Sequence, residues 1–204
     1  PFWINAGFFC LRRDIFDVLE DGDELVEAPF QRLIAQRRLG VFRYRGFWQT
    51  YHDTLFGGRL PSPTSHTLQA LARYVVENGC DLGIATDGDA DRIGIIDDLG
   101  HFLHPNQILV LLYDYLLDGK GWKGPAVRNM STTHLLDRVA AAHGEVVYEV
   151  PVGFKWISAK MAETDAVIGG ESSGGLTVRG HIAGKDGVYA GSLLVEMVAA
   201  SGKK

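Results

Sequence analysis

The chain has 204 residues, enough for one or two domains, and its 46% hydrophobic and 22% charged residues are typical of a soluble globular protein. A formal net charge of -5 without any basic stripe argues against nucleic acid as a partner. No apolar run reaches membrane-spanning length, and Cys10 and Cys80 lack metal-site or disulfide-scaffold spacing. We therefore expect a cytoplasmic protein that binds neither nucleic acid nor membrane.

The first 54 residues alternate short strand and helix patterns. The segments 4–9, 27–33 and 46–54 resemble the C-terminal part of the catalytic domain of sugar-phosphate nucleotidyltransferases, in particular the glucose-1-phosphate cytidylyltransferase branch. The resemblance implies that Glu27 faces a sugar and that Asp53 binds a metal. The alternative for Asp53 is an ordinary strand end, because the chain contains no glycine-rich loop to cradle a nucleoside triphosphate.

After residue 54 the pattern is a Gly- and Pro-rich loop followed by alternating strands and helices. Thr67 is predicted to cap the first helix. The predicted strands are 81–85, 93–97, 126–130, 146–150 and 166–168, and the predicted helices are 68–78, 105–117, 132–143, 153–163 and one that follows residues 185–187. This alternation predicts an α/β fold with parallel or mixed sheets flanked by helices.

An acidic loop lies between the first two of these strands, with the sequence Thr-Asp-Gly-Asp-Ala-Asp-Arg at 86–92. The spacing of two lets Asp87, Asp89 and Asp91 converge on one hard cation through oxygen ligands. Arg92 offers a planar guanidinium to a phosphate or carboxylate near that cation. The alternative is a solvated Asp-Gly hairpin turn, which needs only one of the three carboxylates.

A second loop, Gly-Gly-Glu-Ser-Ser-Gly-Gly at 169–175, follows a short apolar strand. Ligands of open α/β sheets collect at the carboxyl ends of strands. Glu171 can accept hydrogen bonds from two adjacent sugar hydroxyls, and Ser173 can both donate and accept. A flexible connector is the alternative for this loop. The lysines of the same half are either phosphate partners or solvated surface charges: Lys155, Lys160 and Lys185.

Residues 55–204 resemble the α-D-phosphohexomutase superfamily, through the two loops and through the segments 55–61, 104–107 and 152–155, which are most similar to bacterial phosphoglucomutases. The resemblance implies domain 2 in part (55–102) and domain 3 (103–204), preceded by a nucleotidyltransferase-like α/β fragment (1–54). It implies a Mg²⁺ site at the three aspartates. It also implies hexose-phosphate contacts by Arg92, Lys155, Glu171, Ser173 and Gly174.

The family interconverts hexose 1-phosphate and 6-phosphate through a phosphoserine, whose Thr-Ala-Ser-His-Asn-Pro segment is not among the 204 residues; 64–66 has only Thr-Ser-His. We therefore expect no catalytic residue in this chain and no activity of the chain alone. The alternative function is a non-catalytic sugar-phosphate and Mg²⁺-binding remnant, or a subunit of a nucleotidyltransferase–mutase fusion completed by another chain. The junction near residue 54 is interpreted as a fusion, a deletion or an artefact. The resemblance allows glucose or mannose as the preferred hexose, because the second loop ends in Gly175, whereas it often ends in His in members that process mannose.

Overall fold

A computed structural model describes residues 32, 35, 36 and 62–202, so Glu27 and Asp53 lie outside the described residues. The chain divides into two compact units, residues 1–46 and 47–204, and every element described below belongs to the second unit. Among the described residues, no helix is long and apolar enough to cross a membrane.

The first sheet is a three-stranded antiparallel sheet in the order β1-β2-β3. Its elements are α1 (Gln69–Asn78), β1 (Leu82–Thr86), β2 (Ile93–Asp97) and β3 (Phe102–Leu103). The hairpin of β1 and β2 confirms the prediction of two strands joined by the acidic loop, with Leu82 opposite Asp97 and Thr86 opposite Ile93. Short apolar runs on either side of a turn favour this hairpin. The strand β2 is buried from Ile93 to Ile96, whereas Ile84 of β1 is exposed.

The second sheet has four strands in the order β5-β4-β6-β7. Its strands are β4 (Ala126–Asn129), β5 (Val147–Val150), β6 (Ile168–Gly170) and β7 (Leu176–Val178). The helices around it are α2 (Pro105–Asp114), which continues as a π-helical turn (Tyr115–Gly119), α3 (Leu135–Ala142), α4 (Phe154–Thr164) and α5 (Gly187–Ser201). The central β4 runs parallel to β5 and β6, and β7 is antiparallel to β6. The expected α/β fold with helix-flanked mixed sheets is confirmed.

Both sheets share one apolar core. Ile95 of β2, Leu112 of α2 and Ile168 of β6 are fully buried in a single cluster that also contains Leu194 of α5. The glycine at position 191 lets α5 approach the first sheet closely, because a Cβ there would lie 3.1 Å from Ile84. The shared core therefore fixes the position of the loop before β2 relative to the loop after β6.

Two local predictions are wrong. Thr67 does not cap α1: the helix begins after Leu68, and the Thr67 hydroxyl instead donates to the carbonyl oxygen of Ser62 at 2.6 Å. The predicted helix 132–143 begins only at Leu135, since the Thr132 hydroxyl donates to Asn129 Oδ1 at 2.7 Å in a turn that follows β4. In both cases the hydroxyl satisfies a loop group, and it is therefore not available to the helix terminus.

The start of α5 depends on Asp186, the residue before the helix. One oxygen, Oδ1, accepts from the Tyr189 amide at 2.8 Å, and Oδ2 lies 2.8 Å from Nε2 of His181. Burial raises the pKa of Asp186, but the hydrogen bonds from the Tyr189 amide and from His181 outweigh that effect. The pKa is therefore held below its ordinary value of 3.8.

Replacing Asp186 by alanine is expected to lower the free energy of unfolding at neutral pH by about 1–2 kcal/mol, because the helix loses its N-terminal cap. Replacement by asparagine keeps the cap and removes only the charge. Because the folded-state pKa is depressed, the charge stabilises above the unfolded pKa and that stabilisation is lost as pH falls through the folded pKa. Urea unfolding of the wild type and of Asp186→Asn from pH 7 to pH 3 checks this. A difference in free energy of unfolding that favours the wild type and grows as the pH falls would contradict it.

Candidate active site

The acidic loop is the turn that joins β1 to β2. Ala90 lies in the left-handed region with φ of 59°, and its amide donates to the Asp87 carbonyl at 3.2 Å. This turn brings one carboxylate oxygen from each of Asp87, Asp89 and Asp91 within 4.8 Å of one another. Asp87 is buried, Asp91 is half-buried and Asp89 is exposed. Three carboxylate oxygens that lie this close together form a ligand set that can bind a metal ion.

Two cationic side chains contact these carboxylates. The Arg92 amide donates to Asp87 Oδ1 at 3.0 Å, and Arg92 Nε donates to Asp87 Oδ2 at 2.5 Å. Lys185, from the segment that precedes α5, forms an ion pair with Asp91. Burial raises the pKa of Asp87, but the amide and guanidinium of Arg92 outweigh burial and hold that pKa below its ordinary value. The Asp87 carboxylate is therefore charged at neutral pH.

The second loop joins β6 to β7 at the edge of the sheet where the parallel strands β4 and β6 end. It closes on itself through two backbone bonds, from the Glu171 amide to the Gly175 carbonyl at 2.9 Å and from the Gly174 amide to the Glu171 carbonyl at 3.1 Å. The Ser173 hydroxyl lies 3.2 Å from Glu171 Oε2. A half-buried carboxylate beside an exposed hydroxyl is suited to the paired hydroxyls of a sugar.

A buried polar network holds Glu171 in place. Asn129, at the end of β4, is only 2% exposed, and its Nδ2 donates to Glu171 Oε1 at 3.2 Å. Its Oδ1 accepts from the Thr132 hydroxyl, which in turn accepts from the Ser172 amide at 3.2 Å. Asn129 and Thr132 are not among the site residues predicted from the sequence. The polar run that directly follows the β4 strand pattern is the available signal, since ligand sites form at strand ends.

The acidic loop and the Glu171 loop lie directly against each other. The Ile93 amide donates to the Gly174 carbonyl at 3.2 Å, and Arg92 and Gly175 form an isolated β-bridge. Gly174 has φ of 102°, and a Cβ there would lie 2.9 Å from the Ile93 carbonyl oxygen. The backbone therefore holds the three-carboxylate cluster and the Glu171 loop together in one candidate site.

The remaining predicted site residues are placed as follows. Arg92 lies against Asp87, with Nη1 3.4 Å from the Ser62 hydroxyl, and its side chain is 34% exposed. Lys155 is exposed in the first turn of α4, and its Nζ lies 5.0 Å from the ring centroid of Trp156. Glu27 and Asp53 lie outside the described residues.

Comparison with known proteins matches the chain to two neighbouring domains of one family. Residues 104–204 match "Phosphoglucomutase/phosphomannomutase, alpha/beta/alpha domain III", and residues 37–100 match domain II of the same family. The chain belongs to the α-D-phosphohexomutase superfamily. Within it, the chain spans domains II and III of the phosphoglucomutase/phosphomannomutase family.

Individual relatives agree with this assignment. A "Phosphoglucomutase/phosphomannomutase" of Thermococcus kodakarensis is 35% identical over 74% of this chain and 33% of its own length. A "Probable phosphoglucosamine mutase" of the same organism is 36% identical over 96% of this chain and 43% of its own. A Burkholderia thailandensis structure from the same family has a TM-score of 0.65 at 28% identity, covering 72% of this chain and 32% of its own. The chain thus spans about a third of the first of these relatives.

The resemblance of residues 1–54 to nucleotidyltransferases is not shown by these comparisons. The match to domain II begins at residue 37, and the phosphoglucosamine mutase relative aligns over 96% of the chain. Short segments such as Glu-Ala-Pro-Phe carry little specificity by themselves. Residues 37–54 of the expected nucleotidyltransferase-like fragment therefore lie within the match to domain II.

Proposed function

We propose that the chain carries the cation-binding and sugar-recognition parts of a phosphohexomutase, which interconverts hexose 1-phosphate and hexose 6-phosphate. The observation that carries this proposal is the backbone contact between the acidic loop and the Glu171 loop. A phosphoryl transfer between two positions of a sugar needs charge neutralisation beside hydroxyl recognition, and this contact supplies both together.

The proposed roles follow from position. Asp87, Asp89 and Asp91 hold Mg²⁺, and the exposure of Asp89 and the partial exposure of Asp91 leave room for the waters and phosphate oxygens that Mg²⁺ prefers. When bound, the ion withdraws charge from a transferring phosphoryl group. Arg92 orients Asp87 through its amide and its Nε, and its side chain is 34% exposed, so the remaining guanidinium nitrogens can contact a substrate phosphate.

The sugar is bound by the second loop in this proposal. The carboxylate of Glu171, oriented by Asn129, accepts hydrogen bonds from two sugar hydroxyls, with Ser173 and the Gly174 backbone beside it. Lys155 is the proposed partner of a substrate phosphate. The proposed boundary between the two domains lies between residues 102 and 103. A cytoplasmic location is also part of the proposal, because two widely spaced cysteines fit a reducing compartment.

Calorimetry with glucose 1,6-bisphosphate in Mg²⁺ tests the sugar site. The change Glu171→Gln keeps the size and the contact with Asn129 but removes the charge, so we expect binding to weaken about 10- to 100-fold, as for loss of a charged hydrogen bond. Glu163→Gln on α4, whose exposed carboxylate pairs with Lys160, is the matched control and should bind as the wild type does.

Two results would contradict the proposal in this experiment. Wild-type protein that binds no hexose phosphate in Mg²⁺ removes the sugar site, and equal losses in both variants show that the effect is not specific to Glu171. With added glucose 1-phosphate we expect binding without sustained formation of glucose 6-phosphate, because the 204 residues contain no Thr-Ala-Ser-His-Asn-Pro segment.

A further inference from the structure

One of the cationic side chains that contact the acidic loop, that of Lys185, comes from a distant part of the sequence. The Lys185 ammonium forms an ion pair with Asp91 Oδ2, and both side chains are 26% exposed. The same Asp91 contributes a carboxylate oxygen to the cluster of three aspartates. A positive side chain therefore lies beside the carboxylates to which a metal ion would bind.

The lysine is held in that position by its surroundings. Its aliphatic part crosses Gly175, where a Cβ would overlap the Lys185 Cδ atom. Two residues further on, the Gly187 amide donates to the Ala90 carbonyl at 2.8 Å, and a Cβ on Gly187 would lie 2.8 Å from the Arg92 carbonyl oxygen. The segment is thus fixed to the acidic loop by its backbone, and Lys185 reaches Asp91 from a defined direction.

We propose that Lys185 is a positioning residue that stabilises the acidic loop while no ion is bound and lowers the affinity of that loop for divalent cations. This inference rests on the proposed metal site. Three carboxylates that converge on one point repel one another, and the ammonium offsets that repulsion while no ion is bound. When an ion binds, Lys185 both competes for Asp91 and repels the ion, so part of the binding energy is lost.

The change Lys185→Met is expected to raise Mg²⁺ affinity about tenfold, equal to about 1.4 kcal/mol, because it removes one unit charge at ion-pair distance from a ligand oxygen. Methionine keeps the apolar contact over Gly175. Lys120→Met is the matched control, since Lys120 is 27% exposed and pairs with Glu196 outside the acidic loop. It should bind Mg²⁺ as the wild type does.

A second variant changes the same contact from the other side. Gly175→Ala places a methyl group in overlap with Lys185 Cδ and 2.9 Å from Lys185 Cγ, so the lysine stem must shift. We expect this change also to raise Mg²⁺ affinity, by less than Lys185→Met. The ion pair also predicts that Lys185→Met lowers the unfolding temperature of the metal-free protein, and that saturating Mg²⁺ removes this difference.

The experiment is titration calorimetry with Mg²⁺ alone, together with thermal unfolding with and without Mg²⁺, on the wild type and these three variants. Tighter binding in Lys185→Met and in Gly175→Ala, with Lys120→Met unchanged, supports the inference. Equal or weaker binding in Lys185→Met overturns it, and if that variant does not fold, equal binding in Gly175→Ala does so. Wild-type protein that binds no Mg²⁺ overturns the proposed metal site itself, which is a separate outcome.

Discussion

Replacing Asp89 by alanine is expected to weaken Mg²⁺ binding by about 100-fold or more, because a direct ligand matters more than the outer partners, whose loss costs about 10- to 100-fold. Asp89 is the exposed member of the cluster, and its side chain supports no part of the core. The unfolding temperature of the metal-free variant should therefore equal or exceed that of the wild type, since one source of like-charge repulsion is removed.

Calorimetry checks this expectation, with Asp118→Ala as the control for the loss of one exposed carboxylate. Asp118 is exposed in the π-helical turn after α2 and is not a member of the aspartate cluster. If Asp89→Ala and wild type bind Mg²⁺ equally, the aspartate cluster is not a metal site. The turn would then be the solvated Asp-Gly hairpin that its sequence also allows.

Replacing Gly174 by alanine is expected to lower the free energy of unfolding by about 2–3 kcal/mol and hexose-phosphate affinity about tenfold. Gly174 has φ of 102°, which disfavours any side chain, and its Cβ would press on the Ile93 carbonyl oxygen 2.9 Å away. Relief of that contact requires the Glu171 loop to move away from β2. The two loops would then no longer be held in contact.

Gly180→Ala separates backbone strain from the lost contact between the loops. Gly180 has φ of 82°, but a Cβ there would meet no heavy atom of the described residues within 4 Å. This variant therefore carries only the conformational cost, which is about 1–2 kcal/mol. Urea unfolding should show a smaller destabilisation in Gly180→Ala than in Gly174→Ala, and calorimetry should show weakened sugar-phosphate binding only in Gly174→Ala. Equal binding by the two variants contradicts a functional role for the contact.

Local sequence patterns are sufficient to predict the acidic loop, the Glu171 loop and the two strands that flank the acidic loop. The acidic loop lies between two apolar runs that can only be strands, and a run of three aspartates at alternate positions is unusual in a simple turn. The short strand β7, with the sequence Leu-Thr-Val, is not predicted because three residues show no period. Its pairing with β6 is what closes the Glu171 loop.

The relations between distant residues are beyond the reach of sequence patterns. Asn129 and Glu171 come together because β4 and β6 are neighbours in the sheet, and Lys185 meets Asp91 because α5 packs on the first sheet. Such contacts depend on the tertiary core, not on the spacing of residues along the chain. The sequence therefore predicts the chemistry of each loop, while the structure shows that the loops adjoin.

The acidic loop and the Glu171 loop are proposed to form one site for a cation and a hexose phosphate. Paramagnetic relaxation tests this directly, with Mn²⁺ in place of Mg²⁺ and the phosphorus and ring-proton signals of glucose 1-phosphate as the readout. We predict strong broadening of both signals by the wild type, and loss of the broadening in Asp89→Ala. Glucose 1-phosphate that binds the wild type but whose signals are unaffected by bound Mn²⁺ would contradict a shared site.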